Sequence, residues 1–396
     1  MLTPHSAANA KKTSIMFASF YAGFRGPVER WVYHTAKTLR ENGFTVRGSF
    51  RKTVRGSEKF LNIFDSVGAL EGQAAESDLV LLNKIPELPL LKRALACFPE
   101  KLTMVIHDHD YYCPRRLKNC MMSHKYCNRP YQYFLCGLCG MCVRASAWHG
   151  GFFQAMEEKF LTFPLRYNLF KTIPRFAVLS PIMRENLIRC GIEKERIFLL
   201  PPYLTIPRVE HAGSIDGGPP VILFTGPMIY GKGGDKVLHI LSKLKQPYRA
   251  RLLGDGKDWD AFVELSKKLK IRGNVEFPGW QLDRKELFRT SDIAFYPYRE
   301  QETFNFEGAI AASYGLPIIA TKAGGTSEFV ADGQTGFLLD CHDEKAIIEK
   351  LELLLTNVRL RRQMGEAGRF YVTEQYPLEG FLKGFHDLAA SKSKEL

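Results

Sequence analysis

Residues 295–337 read FYPYREQETFNFEGAIAASYGLPIIATKAGGTSEFVADGQTGF, and this stretch decides the fold. A short apolar run, residues 293–296, predicts a buried strand leading into a turn that holds Glu300, Glu302, Phe304 and Asn305. Small residues over 308–314 predict a helix, and 316–321 predicts a second strand ending at the pair Gly324 and Gly325. Strand, turn, helix and strand make a βαβ unit, whose ligands bind beyond the carboxyl ends of the strands. The backbone N–H groups of residues 303–305, just before the helix, suit an anion. Glu302 suits a hydroxyl-rich ligand, because a carboxylate only accepts hydrogen bonds. The predicted ligand is therefore polar with an anionic tail.

The same stretch resembles the donor site of GT-B glycosyltransferases, specifically the retaining family 4. Glu302, Phe304, Gly315, Pro317, Gly324, Gly325, Glu328, Asp332, Gly333 and Gly336 fit that family's pattern. Two positions depart from it. Asn305 stands at a usual glycine, and Ile310 stands at a second glutamate that holds the nucleotide ribose in relatives. Glu307, one helical turn earlier, reads either as a substitute for that glutamate or as a solvated helix charge. The resemblance implies an α/β fold of two Rossmann-like domains facing a cleft.

At 396 residues the chain has room for two domains, each with its own core. Hydrophobic content of 45% and charged content of 24% are those of a globular protein. No apolar run is long enough to span a bilayer, the N-terminus lacks a signal-peptide layout, and residues 1–12 read as a disordered lead-in. A cytoplasmic location follows as the expectation. Residues 1–210 carry 30 Lys+Arg against 17 Asp+Glu, whereas 211–396 carry 25 of each, so the net +13 lies in the first half. An anionic partner for that half is the implication: lipid headgroups, a lipid-diphosphate acceptor or nucleic acid. No nucleic-acid module accompanies the charge, so nucleic acid is not expected.

Along the chain, 12–20 predicts a first buried strand, 21–27 a glycine-containing turn, and 28–42 an amphipathic helix. Trp31, Val32, Thr35, Ala36 and Leu39 fall at helical spacing, and Gly43 stops the helix. By resemblance, Gly26 takes the place of a donor-contacting glycine, while Pro27 replaces its neighbour and removes an N–H. Strands are predicted at 78–83 and 102–106, the second running into His107-Asp108-His109-Asp110. In relatives a histidine at this strand end lies beside the transferred sugar, and His107 is the matching position.

Six of the nine cysteines fall between Cys113 and Cys142. Cys136, Cys139 and Cys142 form C-x-x-C-x-x-C, with glycines that permit tight turns aiming several sulfurs at one point. Without a secretion signal such a cluster favours metal over disulfides, and four thiolates suit structural zinc or an iron–sulfur cluster. The preferred ligands are Cys113, Cys127, Cys136 and Cys139, with Cys120, Cys142 and His124 as alternates. They resemble a Cys-rich insertion, here 113–142, found in a subset of the family. Cys97, Cys190 and Cys341 stand apart and are expected to be buried. Residues 131–176 mix aromatics with Lys and Arg, which suits either helices packed on the core or a peripheral contact with an anionic membrane. A strand (174–180), a helix (181–190) and a strand (197–200) complete the first domain.

The Gly- and Pro-rich residues 211–220 mark the linker. Strand 221–225 then delivers the glycine turn 226–234, with Lys232, to a helix, a layout that receives a diphosphate. By resemblance Lys232 binds the donor diphosphate, and Pro227 stands where the family has a partner arginine. Tyr230 and Arg251 are the candidates to compensate. Strands follow at 249–253 and 275–279, and Trp280 sits in the loop that lies against the nucleobase in relatives. Gly226, Gly325 and Thr326 complete the donor-binding positions that the resemblance implies. The expected domains are 1–210 on the acceptor side, 211–375 on the nucleotide-sugar side, and a helix over 376–396 crossing back.

The function so implied is a retaining glycosyltransferase that takes a nucleotide sugar as co-substrate. Its acceptor is a saccharide or lipid-linked saccharide of surface polysaccharide assembly, met at the inner face of the membrane. His107, Lys232 and Glu302 are the candidate catalytic residues, and no protein base is assigned. The competing reading is a non-catalytic GT-B protein whose basic, metal-stabilised N-terminal domain binds an anionic or protein partner.

Overall fold

The computed structural model describes residues 12–84, 88–116, 118, 126–141, 151–204, 213, 217–281 and 283–391. The lead-in 1–11, Cys120, His124, Cys142 and most of the proposed linker lie outside the described residues.

Thirteen strands are described, sorted into two wholly parallel sheets. The first contains β1 (Ser14–Ala22), β2 (Thr45–Thr53), β3 (Ser66–Val67), β4 (Leu79–Asn83), β5 (Leu102–Ile106), β6 (Phe176–Val178) and β7 (Ile197–Leu199). Its spatial order is β3-β2-β1-β4-β5-β6-β7. The second contains β8 (Val221–Thr225), β9 (Arg249–Leu253), β10 (Val275–Gly279), β11 (Ile293–Tyr296), β12 (Ile318–Thr321) and β13 (Gly336–Leu339). Its order is β10-β9-β8-β11-β12-β13.

Strands buried on both faces read as continuous apolar runs, and β4, β5, β8, β11 and β12 are buried at every position. Full burial of a side chain such as Phe224 or Phe295 contributes about 1.5–3 kcal/mol. Strand order reverses direction between β1 and β4 in one sheet and between β8 and β11 in the other. A crevice opens at the carboxyl ends of such switch strands, because the two connections leave on opposite faces of the sheet.

The helix after β1 runs Pro27–Glu41, with Gly26 as its N-cap. β2 was not anticipated. Its burial alternates at first and then gives way to exposed Arg51 and Lys52, a weaker signal than a buried run. The last helix, Leu378–Ala390, lies against the first domain. There Arg175 Nη1 donates to the carbonyls of Leu388 (3.1 Å) and Ser391 (2.6 Å), and the rings of Phe44 and His386 lie 4.4 Å apart.

Candidate functional site

The site grows from the two switch strands of the second sheet. β8 ends at Thr225 and passes into a turn whose Gly226 has φ +149°. A Cβ on neighbouring Gly254 would lie 1.9 Å from the Gly226 carbonyl oxygen, so these two turns approach backbone to backbone. The chain then makes a single helical turn over Tyr230–Lys232 before Gly233, at φ +74°, opens the helix Gly234–Leu241. A side chain on Gly233 would meet the Pro297 carbonyl at 2.5 Å, which pins this turn to the end of β11.

β11 ends at Tyr296, and the bent segment beyond it carries two carboxylates. Glu300 and Glu302 both point to Lys232: Nζ lies 2.5 Å from Glu300 Oε1 and pairs still more closely with Glu302 Oε1. The Lys232 side chain is 17% exposed and each carboxylate 11%, and the Tyr298 ring centroid is 5.0 Å from Nζ. Burial alone would lower the Lys232 pKa, but the two carboxylates outweigh it and hold the ammonium charged well above its usual range. Burial raises the Glu302 carboxyl, Lys232 opposes that shift, and Glu300 adds to it.

Gln301 and Thr303, between and after the carboxylates, face the first domain. His109 Nε2 donates to the Gln301 carbonyl (2.7 Å), and Asn186 Nδ2 donates to Gln301 Oε1 (2.7 Å). Ser180 Oγ donates to the Thr303 carbonyl (2.5 Å), while Thr303 Oγ1 donates to the His107 carbonyl (2.9 Å). Tyr126 OH donates to the Tyr298 carbonyl at 3.1 Å. The segment thus turns two carboxylates to Lys232 and offers Gln301 and Thr303 to the other domain's polar groups.

His107, at the end of β5, lies 2.9 Å from Asn83 Oδ1 through Nε2. Asn83 Nδ2 donates to the Leu81 carbonyl, which leaves Oδ1 to accept, so the proton sits on Nε2 and Nδ1 keeps its lone pair. Burial, with the charge of Lys84 added, lowers His107 to about 3, and the ring stays neutral at neutral pH. Asp108 and Asp110 turn instead to Lys84 Nζ, at 2.5 and 3.3 Å.

The other positions singled out in the sequence divide. The Gly325 N–H donates to the Glu302 carbonyl (2.8 Å), and a Cβ on Gly324 would meet that carbonyl at 2.0 Å, so the glycine pair braces Glu302 from behind. The Phe304 ring is buried among Phe306, Phe329 and Tyr376. Asn305 caps the helix Phe306–Ser313 by accepting from the Gly308 N–H (3.0 Å). Its Nδ2, like the buried Thr326 Oγ1, has no described partner. Glu307 is not a solvated helix charge: Arg284 Nη1 holds its Oε2 at 2.5 Å with both side chains about one-fifth exposed. Ile310 packs against the core. Trp280 projects from the end of β10, 41% exposed, and the Arg30 guanidinium of the other domain lies 5.4 Å from its ring centroid. Neither compensating candidate reaches this place. Arg251 is tied to Glu276 and Thr290, and the exposed Tyr230 ring is covered by Arg299.

The cysteine segment corrects one expectation. Residues Tyr133–Met141 form a helix, not a series of tight turns. Its glycines serve packing: a Cβ on Gly137 would strike the Phe160 ring at 2.4 Å, and one on Gly140 would meet Pro114 at 3.0 Å. Cys113, Cys127, Cys136 and Cys139 form no disulfide. Burial raises Cys136, and the other three thiols add to the shift, so the four share one neighbourhood. Their residue types fit a tetrathiolate site, but their spacing does not. A zinc tetrahedron needs sulfurs roughly 3.8 Å apart, whereas among the described residues the one trio with ligand atoms mutually within 4.8 Å is Asp340, Cys341 and His342. Cys190 and Cys341 are buried as expected; Cys97 is exposed.

Comparison with known proteins bears on this geometry. Residues 207–370 match the sequence profile of the family described as Glycosyl transferases group 1, which covers the second sheet and both of its switch-strand turns. Over the whole length, the structure of Anabaena Alr3699/HepE in complex with UDP-glucose superposes with a TM-score of 0.70, covering 96% of this chain and all of that one at 15% identity. The chain has the GT-B fold. WaaG, a glycosyltransferase involved in lipopolysaccharide biosynthesis, shares the GT-B fold at a TM-score of 0.65 and 18% identity, over 95% of this chain and 100% of that one. In sequence, the lipopolysaccharide core biosynthesis glycosyltransferase LpsE of Rhizobium meliloti is 27% identical over 173 residues, which are 44% of this chain and 50% of LpsE. The N-acetyl-alpha-D-glucosaminyl L-malate synthase of Bacillus anthracis is 31% identical over 154 residues, 38% of this chain and 40% of that protein. The matched region thus spans half or less of these curated relatives.

Sequence reasoning placed Glu300 in the turn but gave it no role, and it is the second carboxylate on Lys232. The same reasoning missed His109, Gln301 and Thr303, whose roles depend on the other domain.

Proposed function

We propose that the chain transfers a sugar from a nucleotide-sugar donor to an acceptor hydroxyl with retention of configuration. The observation that carries this is the meeting of Lys232 with Glu302 at the ends of β8 and β11, under a strip that the first domain grips. When donor binds, Lys232 turns from its carboxylates to the diphosphate, and Glu302 is released to accept from sugar hydroxyls. The N–H groups of residues 303–305 face the leaving diphosphate as its charge develops. His107 positions the sugar from the opposite side with a neutral ring. The leaving phosphate itself takes the acceptor proton, so no protein base is assigned. Support comes from the UDP-glucose complex of a protein with the same fold and from relatives named for lipopolysaccharide synthesis. The test is a thermal-shift screen against UDP, GDP, ADP and dTDP sugars, followed by hydrolysis of whichever binds. Donor hydrolysis that Glu302→Ala abolishes is expected; full activity in that variant overturns the assignment.

The acceptor we propose is a lipid-linked saccharide, met at an anionic membrane face. Helix Tyr133–Met141 and the helical segment 151–171 expose Phe134, Leu135, Leu138, Phe153, Leu161 and Leu165, with Phe153 83% exposed. Residues 113–175 hold ten Lys+Arg against two Asp+Glu, a net +8, which complements anionic headgroups around inserted rings. No helix among the described residues is long and apolar enough to cross a membrane.

For the four cysteines the reading is a structural zinc ion or iron–sulfur cluster, supported by four cysteines outside any disulfide in one neighbourhood. It requires the sulfurs to draw together on binding. Metal analysis of wild type and of Cys136→Ser/Cys139→Ser decides it, and equal metal content in the two rejects those ligands.

A second reading is favoured by the full engagement of Lys232 with two carboxylates, beside Pro227 and Ile310. In it the GT-B frame is a non-catalytic scaffold for an anionic or protein partner. Failure to bind every nucleotide sugar in the screen, with acceptor extract present, selects it.

A further inference from the structure

A buried site that receives a diphosphate needs positive charge in excess, and the second domain holds little of it in reserve. Lys232 faces two carboxylates, which leaves that trio net negative. Nearby arginines are committed: Arg284 to Glu307 at 2.5 Å, Arg299 to Asp235 at 2.6 Å and Arg251 to Glu276 at 3.2 Å. Arg30 is different. It stands in the first turn of helix Pro27–Glu41, is half-buried, and forms no ion pair with a described residue. Its guanidinium meets the Trp280 ring across the cleft. Burial lowers its pKa and Arg284 lowers it further, while Glu307 and Asp255 oppose that shift. Asp255 belongs to the turn after β9, whose carbonyl accepts from the Met228 N–H (2.8 Å) in the turn after β8. Arg30 therefore stands at Trp280 by the end of β10, in electrostatic reach of Asp255 in the turn after β9, with no carboxylate paired to it among the described residues.

We propose that Arg30 is a donor-binding residue supplied by the N-terminal domain, one that leaves the face of Trp280 to take up the diphosphate of the nucleotide donor. The inference rests on the glycosyltransferase reading above. An arginine suits both states, since its planar fork stacks on an aromatic ring and pairs with two phosphate oxygens at once. Because Arg30 comes from the opposite domain, the same contact ties the two domains together over the donor.

The test is calorimetric titration of wild type, Arg30→Gln and Arg30→Lys with UDP, GDP, ADP and dTDP, each beside its own nucleoside. Loss of one charge-assisted contact predicts diphosphate binding weaker by about 10- to 100-fold in Arg30→Gln. Nucleoside binding and the ligand-free melting temperature are expected to stay unchanged, and Arg30→Lys to recover part of the loss. Equal diphosphate affinity in wild type and Arg30→Gln overturns this inference alone. Equal losses for diphosphate and nucleoside overturn it too, because they reveal a packing role. Wild-type protein that binds none of the four diphosphates overturns the glycosyltransferase reading, and this inference with it.

Discussion

His109 of the first domain donates through Nε2 to the carbonyl of Gln301 in the second, the residue between the two carboxylates that hold Lys232. Its Nδ1 lies 2.6 Å from Tyr112 OH, so both ring nitrogens are engaged in a buried place. The bond fixes the backbone from which Glu300 and Glu302 project, and makes their position depend on how the domains meet.

Acid should loosen that contact. Burial lowers His109 to about 4 and His107 to about 3, against about 6.5 in an unfolded chain. Between those limits the unfolded chain holds more protons, so stability is full above about 6.5 and falls as pH drops toward 4. For His109 the loss is of order 3 kcal/mol. His109→Phe should lose about 1–3 kcal/mol at pH 7 from the missing bond and show a shallower acid decline. Urea unfolding at pH 5 and pH 7 measures both, and an undiminished acid decline in the variant would refute the role given to His109.

Removing one member of the Lys232 trio should cost unequally. Lys232→Met leaves two buried carboxylates facing each other, and breaking a buried pair from one side costs about 3–5 kcal/mol. Glu300→Gln leaves Lys232 paired with Glu302 and should cost far less, about 1 kcal/mol. Denaturant midpoints of the two variants give the comparison. Equal destabilisation would mean that Glu300, not Glu302, is the principal partner of Lys232.

Glu328 predicts an opposite pH dependence. Burial raises its carboxyl to about 7, although the Ile182 N–H (3.4 Å) and the Ser180 side chain in the other domain act to lower it. Its ordinary value is near 4.5, so between 4.5 and 7 the folded protein holds more protons, and this group's contribution is lost as pH rises. Glu328→Gln should therefore gain on wild type as pH goes from 5 to 8. Melting temperatures of both proteins at the two pH values test it, and a constant difference would exclude the assignment.

The exposed apolar helices predict selective membrane adsorption. Wild type should sediment with phosphatidylglycerol vesicles more than with phosphatidylcholine vesicles, and less so at high salt. Phe153→Asp/Leu165→Asp should abolish sedimentation while leaving hydrolysis of the donor in solution unchanged. Sedimentation of the double variant at the wild-type level would show that another surface makes the contact.

Much of the architecture was legible from local pattern. β5, β8 and β11 fall at the residues that their apolar runs marked, because a strand buried on both faces must be apolar throughout. β9 and β10 also fall where they were predicted, although they are only partly buried. Helix Phe306–Ser313 begins two residues before the predicted start, since Asn305 caps it and the Phe306 ring packs on Phe304. Lys232 and Glu302 were singled out separately, one for phosphate and one for sugar; that they pair with each other was not visible.

What the sequence determined by itself is the pair of parallel sheets and the turns that leave their switch strands, because strand burial and glycine turns are written in runs of neighbouring residues. What only the tertiary structure decided is the partner of each charge. Lys232 lies 68 and 70 residues from its two carboxylates, Arg284 pairs with Glu307 and not with solvent, and His109 reaches across 192 residues to Gln301. Ion pairs and hydrogen bonds are set by where folded strand ends meet, and that meeting has no periodic trace in the chain.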